Sequence, residues 1–472
     1  MPIAFTDSRR PGRPPTRGHR GIALVVALAV VLIVLSLILV TARQMQTHAT
    51  ASRNQTSSAQ ARLIAEGAAR ALAADLTRIR NEGGELEDLI VPVEAGRIGD
   101  GLYWLLAPSD DDDRSHHFGL ISEAAKVNVN TAGAAWLASL PQMDAGLVAA
   151  IIDWRDDDAE VTTGGAESEY YMVNGSAGYI AKDGPLETLG ELLMLRDFNR
   201  DILYGEDANH NGVLDDSEND AGPRPPHDNG DGILQRGLAP YITVVSREPN
   251  VIPGTQTPRV NANTATVEDI RSTLQPALGD ARAAEVADAL VAARPHPNIV
   301  ACLARANITA DESPAIEDRL TTVDNPMLVG RLNICLADEA AIEGMPGLEE
   351  GDAARLVAAR SAGADLRSLH WVLAAFDENA SVSNATAITI GGLITSKSYQ
   401  YAADIIAVSG DGRGFHRMHI IIDTATPGAA RIVYIRDLTS LGWPLDAALL
   451  DDLRAGVSAD DIALRASLGG AG

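Results

Sequence analysis

The densest run of metal-type ligands in the chain is Asp207-Ala208-Asn209-His210-Asn211-Gly212-Val213-Leu214-Asp215-Asp216-Ser217-Glu218. Side-chain oxygens fall at loop positions 1 (Asp207), 3 (Asn209), 5 (Asn211), 9 (Asp215) and 12 (Glu218). Gly212 stands at position 6, where a sharp turn needs a residue free of Cβ. Val213 offers its backbone carbonyl at position 7, and Leu214 is an apolar plug. This is the EF-hand loop pattern. Calcium takes six to eight oxygens at short range, and an all-oxygen, glycine-kinked loop can wrap it. The chemistry predicted here is structural binding of Ca²⁺. Asp220-Ala221-Gly222-Pro223 cuts the exit helix short, so a groove-opening sensor is not expected.

A weaker echo follows in Asp228-Asn229-Gly230-Asp231-Gly232. With Gly232 at position 6, Asn229 and Asp231 take ligand positions, whereas His227 and Leu238 make poor ends. Asp228 and Asp231 could form half a site or lend carboxylates to a neighbouring ion. The run Asp153-Trp154-Arg155-Asp156-Asp157-Asp158 reads as a helix end followed by surface charge. His416 and His419 lie three apart on a strand and so face opposite sides. There is no Gly-x-Ser-x-Gly, phosphate loop, zinc spacing or Ser-Lys dyad, so an enzyme is not expected.

The elements that carry these loops show an internal echo. Val127-Asn128-Val129-Asn130-Thr131-Ala132 returns as Val260-Asn261-Ala262-Asn263-Thr264-Ala265. A weaker form is Leu332-Asn333-Ile334-Cys335-Leu336-Ala337. Each reads as a strand closing into a helix start, with Asn or Thr accepting orphan N–H groups. Met345-Pro346-Gly347-Leu348, between helical patterns at 338–344 and 350–360, resembles a helix-hairpin-helix turn; Leu140-Pro141 sits in the same place in the first module. Glu349, Glu350 and Asp352 follow the turn and would repel phosphate, so the hairpin is read as packing.

Strand patterns flank this helical block. Residues 101–107 and 117–122 precede it, around the acidic turn Asp110–Asp113; Tyr399–Val408, Gly414–Asp423 and Arg431–Ile435 follow it. One sheet with a helical insertion is the simplest reading. A short helix at Leu445–Leu453 and a loose Gly-Gly-Ala-Gly tail finish the chain.

At the other end, Gly21 to Ala42 carries no charged side chain, about 33 Å at helical rise and enough to cross a bilayer core. Five arginines and one acid precede it, which by the positive-inside rule keeps the leader cytoplasmic and exports the rest. A cleaved signal, a plain anchor and a prepilin-like leader cut after Gly21 all begin this way. No Pro or Gly interrupts Gln44–Gln60, and Leu72, Leu76 and Ile79 follow at i, i+4, i+7. One helix of about 55–60 residues is predicted, half in lipid and half on a soluble domain, ending at Asn81-Glu82-Gly83-Gly84.

The 472 residues allow two or three domains and carry a formal charge of −26; cutting after Gly21 removes five Arg and one Asp and leaves −30. Such a polyanion with no evident basic patch disfavours nucleic acid. Cys302 and Cys335 are too few for a disulfide scaffold, and their pairing is open.

Taken in order, several strings resemble general secretion pathway protein K, the largest minor pseudopilin family of type II secretion. They are Arg20-Gly21/Ile22, Ala65-Glu66-Gly67-Ala68, the first Val-Asn-Val-Asn-Thr-Ala, Ile152-Asp153-Trp154-Arg155-Asp156, Glu169-Tyr170-Tyr171, Gly184-Pro185-Leu186-Glu187-Thr188 and the second Asn-x-Asn-Thr-Ala. A third helical module near 331–376 and the tail after 437 depart from it. The resemblance implies an α+β fold: a pilin-like N-terminal helix on an antiparallel sheet, with a large inserted helical domain of helix-hairpin-helix or SAM-like modules and calcium bound there. The expected layout is 1–21 leader, 22–82 membrane and stalk helix, 83–126 first part of the sheet, 127–258 helical insertion with the calcium loop, 259–385 further modules, 386–440 closing strands, and 441–472 helix and tail. The resemblance further implies cleavage after Gly21 by the prepilin peptidase and methylation at Ile22. It implies an inner-membrane, single-pass protein, mostly periplasmic, at the pseudopilus tip with the I and J minor pseudopilins and the secretion platform.

Mature position 5, counted from Ile22, is Val26, where most pilins carry Glu. An acid in lipid needs a charged partner, so its absence suits a subunit with nothing stacked above it. The competing readings are a pilin-like DNA-uptake or adhesion protein using its helical hairpins, and a bitopic calcium-binding surface protein.

Overall fold

An unbroken run of helix-forming residues opens the described part of the chain. From Ile22 to Asn81 the only Gly is Gly67 and there is no Pro, so nothing interrupts the i→i−4 ladder. The structure, a computed structural model, describes residues 20–81, 95–107, 114–174, 178–222, 225, 227–376, 384–426 and 428–462. The helix spans Arg20–Asn81, 62 residues, slightly longer than predicted. The leader up to residue 19, Glu82-Gly83-Gly84, the Asp110–Asp113 turn and the C-terminal tail lie outside the described residues.

The chain divides into two units, Met1–Ser57 and Ser58–Gly472. In the first, the helix is apolar and exposed all round, from Ile22 through Val40. Its span is long and apolar enough to cross a membrane. In the second unit the pattern becomes one-sided. Ile64, Ala65, Ala68, Leu72, Leu76 and Ile79 are buried against Leu105, Ile405, Ala407, Ile420 and Ile422 of a sheet. The predicted face of Leu72, Leu76 and Ile79 is therefore the packing face, and each such side chain contributes about 1.5–3 kcal/mol.

That sheet is antiparallel, in the order Gly96–Ile98, Gly101–Leu106, Gln400–Val408, Phe415–Asp423, Arg431–Asp437; Ile121–Ser122 also pairs with Gln400–Val408. Trp104 stands opposite Ile406, and Ile406 opposite Arg417. Strand period 2 sends Leu105, Ile405 and Ala407 to the helix side and Leu102, Trp104, Leu106, Ile406 and Val408 to the other. The second face is covered by Leu445, Leu450, Leu453 and Ile462 from the C-terminal segment around the helix Ala447–Arg454. Strands before residue 123 and after 399 thus share one sheet, and the helical block between them is an insertion.

The insertion contains three equivalent loops. Val127–Asn128 pairs in parallel with Ile242–Thr243, Val260–Asn261 with Leu320–Thr321, and Leu332–Asn333 with Ile394–Thr395. In each, the first Asn side chain accepts the N–H two residues on: Asn128 from Asn130 and Asn261 from Asn263, both at 2.9 Å, and Asn333 from Cys335 at 3.0 Å. Each loop leads to two helices joined by a tight connection: Ala134–Ala138 and Ala145–Arg155, Val267–Leu278 and Asp280–Ala292, Glu339–Ile342 and Asp352–Ser361.

An arginine near the end of each second helix then closes its own loop. Arg155 donates to Val129 O and Ala132 O, Arg294 to Ala262 O and Ala265 O, and Arg360 to Ile334 O and Ala337 O. The third module's first helix is shorter than the predicted 338–344, because Gly344 leaves it at φ +73°. Gly347 has φ +100°, and a Cβ there would meet Thr389 Cγ2 at 2.5 Å, so the Pro-Gly turn admits only glycine. Cys302 and Cys335 are free and buried in the helical core, their thiols pushed up to about 12 by burial.

Candidate metal centre

Asn199 caps the short helix Arg200–Tyr204 through Ile202 N (2.9 Å). Gly205 then turns the chain at φ +63°, against Gln235 O, where a Cβ would stand 2.0 Å away. The loop Asp207–Glu218 begins two residues later and ends in a single 3-10 turn, Asp216–Glu218, so no long helix leaves it. Its kink is at Gly212, φ +72°, with His210 also left-handed at φ +55°.

Inside the loop the expected ligand side chains turn inward onto the backbone. Asp207 accepts N–H groups of Asn211 and Gly212, both at 3.0 Å. Asn209 accepts from Asn211 N at 2.8 Å, and Asn211 from Val213 N at 2.7 Å. Glu218 folds back across the loop, taking Ala208 N on one oxygen (2.9 Å) and Asp215 N on the other (3.2 Å). The Asn209 amide donates to Asp215 Oδ2 at 2.6 Å. Positions 1, 3, 5, 9 and 12 are therefore drawn together through one hydrogen-bond network.

This network is buried and acidic. Asp207 is 5% exposed and Glu218 2%. Burial pushes the Glu218 carboxyl up to about 7; the N–H groups of Asp215 and Ala208 resist, while Asp207 and Asp215 add to the rise. Burial likewise raises Asp207, against the pull of the Gly212 and Asn211 N–H groups. Acids gathered out of water repel one another unless a cation or protons compensate, and an all-oxygen donor set suits a hard cation. Asp207, Asn209, Asn211, Asp215, Glu218 and the Val213 carbonyl are the groups that could hold calcium.

The sheet reaches into the loop. Arg417 is wholly buried; it pairs with Asp404 at 2.6 Å and donates to the carbonyls of Asn209 and His210. Arg236 donates to Gly212 O at 2.8 Å, and Asn211 Nδ2 to Pro444 O at 3.2 Å. The His210 ring lies 4.5 Å from that of Tyr204, and burial, with Arg417 next, pushes its imidazole down to about 3. None of these anchors was read from the sequence. The available signal was an arginine within the apolar strand Phe415–Asp423.

The second echo lies beside the end of the first loop. Asn219 Oδ1 accepts Gly232 N (3.0 Å), and Asp228 Oδ1 accepts Ala221 N (2.6 Å) and Gly230 N (3.0 Å). Asp231 is exposed and bonds Asn229 Nδ2 at 2.9 Å and Ile233 N at 2.8 Å. Glu206, buried, accepts from Asn229 N and Gln235 N. Asp228 and Asp231 thus shape the neighbouring turn. Gly21 and Ile22 are helical residues, Ile22 being 64% exposed.

The acidic run is a helix end followed by surface charge, as expected: the helix stops at Arg155, Asp157 and Asp158 are exposed, Asp153 and Trp154 in its last turn are buried, and Asp156 and Asp158 lie near Glu167.

Residues 130–204 match the family model of type II secretion system (T2SS), protein K, the family that the ordered strings resemble. No curated protein matches the chain. Among solved structures, a chain of the GspK-GspI-GspJ complex from the type 2 secretion system of enterotoxigenic Escherichia coli matches at 13% identity and TM-score 0.37. The match covers 82% of this chain and 98% of that one.

Proposed function

We propose that this protein is a non-enzymatic minor pseudopilin of the type II secretion pseudopilus, seated at its tip and helping to start its assembly. The observation that carries the reading is the match of residues 130–204 to protein K, in a chain whose pilin-like sheet is split around a helical insertion. The apolar helix from Ile22 supports an inner-membrane anchor, with the basic leader cytoplasmic and the rest periplasmic. The prepilin peptidase cuts after Gly21 and methylates Ile22, and calcium bound at Asp207–Glu218 stiffens the insertion. A tip position also agrees with Val26, since no acid there waits in lipid for a neighbour's amino terminus.

The test is co-purification of the full-length protein with the I- and J-type minor pseudopilins of the same bacterium, beside a secretion assay in a deletion strain. A stable complex and lost secretion are expected. Mass spectrometry of the mature amino terminus should give methylated Ile22; an intact Met1 or a cut near Ala42 removes the pseudopilin reading. Salt-dependent DNA binding would favour the uptake reading instead.

A further inference from the structure

Each of the three modules places a cation one residue before its Asn-led strand: Lys126, Arg259 and Arg331. In the first, Lys126 pairs with Glu123 at 2.7 Å, and the Thr243 hydroxyl donates to the same carboxylate. In the second, Arg259 pairs with Glu248 at 2.6 Å. The third cation lacks such a partner. Arg331 meets only Glu248, at 3.8 Å, and the oxygen it faces already accepts the Thr395 hydroxyl at 3.0 Å. One carboxylate thus serves two modules. The Arg331 side chain is 17% exposed, and its N–H groups have no hydrogen-bond acceptor among the described residues.

Arg331 instead faces a cavity of about 20 Å³ at the seam between the second and third modules, whose other charged walls are Glu248, Arg259, Glu317 and Lys397. That exceeds the about 10–15 Å³ that one water-sized particle needs. Glu317 does not pair with Arg331. Its carboxyl is 7% exposed and takes neutral donors: Leu369 N at 2.7 Å and the hydroxyls of Ser313 and Ser396 at 2.9 and 3.1 Å. Burial pushes that carboxyl up to about 7, so at lower pH it keeps its proton. Glu248 then balances Arg259, and Asp318, 3.5 Å from Lys397, balances the lysine. The surplus positive charge is that of Arg331. A largely buried guanidinium with neither acceptor nor counter-charge is costly, and one small anion supplies both.

We propose that this cavity binds one small monovalent anion of chloride's size, held by Arg331 across the seam between the second and third modules. Ionised Glu317 neutralises the surplus charge in the anion's place, so binding weakens as that carboxyl loses its proton. The site shares no residue with the Asp207–Glu218 loop.

The experiment melts the full-length protein in detergent, in sodium gluconate replaced stepwise by sodium chloride at constant ionic strength and fixed calcium. At pH 6 the melting temperature should rise with chloride and saturate; gluconate, too large for the cavity, controls for screening. The half-saturating chloride concentration should rise about tenfold between pH 6 and pH 8. Glu317→Gln stays neutral and should bind chloride equally well at both. Arg331→Met keeps an apolar stem without the charge; it should melt at or above the parent in gluconate and ignore chloride. A parent melting temperature set by ionic strength alone overturns the proposal, because water then fills the cavity. So does a chloride response that survives in Arg331→Met. Should that variant fail to fold, Glu317→Gln decides: a tenfold weakening that persists in it overturns the proposal.

Discussion

Arg417, wholly buried on a sheet strand, donates to the carbonyl of His210 at 2.5 Å while its guanidinium pairs with Asp404 at 2.6 Å. Residues 207 positions apart are thereby joined, and the candidate calcium loop is keyed to the antiparallel sheet.

Removing that arginine strands its partners. Arg417→Met leaves Asp404 buried without its counter-charge and frees two loop carbonyls. A loss of about 3–5 kcal/mol is expected, read from denaturant unfolding of the purified protein. Adding Asp404→Leu removes the orphaned charge and should recover a large part of that loss. If the double variant is as unstable as the single, the pair is not what holds the loop.

Calcium removal should loosen the same region. With free calcium at about 100 to 1,000 times its dissociation constant, a bound ion stabilises the fold by about 2.7–4.1 kcal/mol. Chelator should lower the melting temperature of the parent and leave that of Asp207→Asn/Glu218→Gln less affected. Equal shifts in both proteins would remove calcium from the loop.

Stability should also fall as pH rises through the range governed by Glu317. Burial pushes its carboxyl from 4.5 to about 7, although Leu369 N, the hydroxyls of Ser313 and Ser396, and Lys397 favour the charged form. The folded state therefore holds a proton that the unfolded state has lost. This contribution is complete below about pH 4.5 and is lost as pH rises toward 7. Glu317→Gln should flatten that part of the stability–pH curve. An unchanged slope would assign it to other groups.

The three loop-closing arginines should matter alike. Arg155→Ala, Arg294→Ala and Arg360→Ala each free two carbonyls of their own Asn-led loop. Each hydrogen bond from a charged donor is worth about 1.5–3 kcal/mol, so each variant should lose at least that. Lysine, lacking the planar fork, should restore only part of it. A neutral Arg294→Ala would break the equivalence of the modules.

Local patterns gave up much of this molecule. The run from Ile22 and the spacing of Leu72, Leu76 and Ile79 predicted the helix and its packing face, because both are periodicities within one element. The three Asn-led strings marked three equivalent loops, because an Asn accepting an N–H two residues on is a local bond. The order of carboxylates and amides along Asp207–Glu218, which the fold draws into one hydrogen-bond network, was visible for the same reason.

What the sequence could not supply were meetings across distance. Nothing local says that Gly101–Leu106 pairs with Gln400–Val408, or that Arg417 reaches the loop at His210. That Asp156 and Asp158 lie near Glu167 depends on a turn that closes eleven residues after Asp156. Residue type and period determined the elements; register, burial and the return of the chain decided which charges meet. Those are properties of packing, and packing exists only once the whole chain has folded.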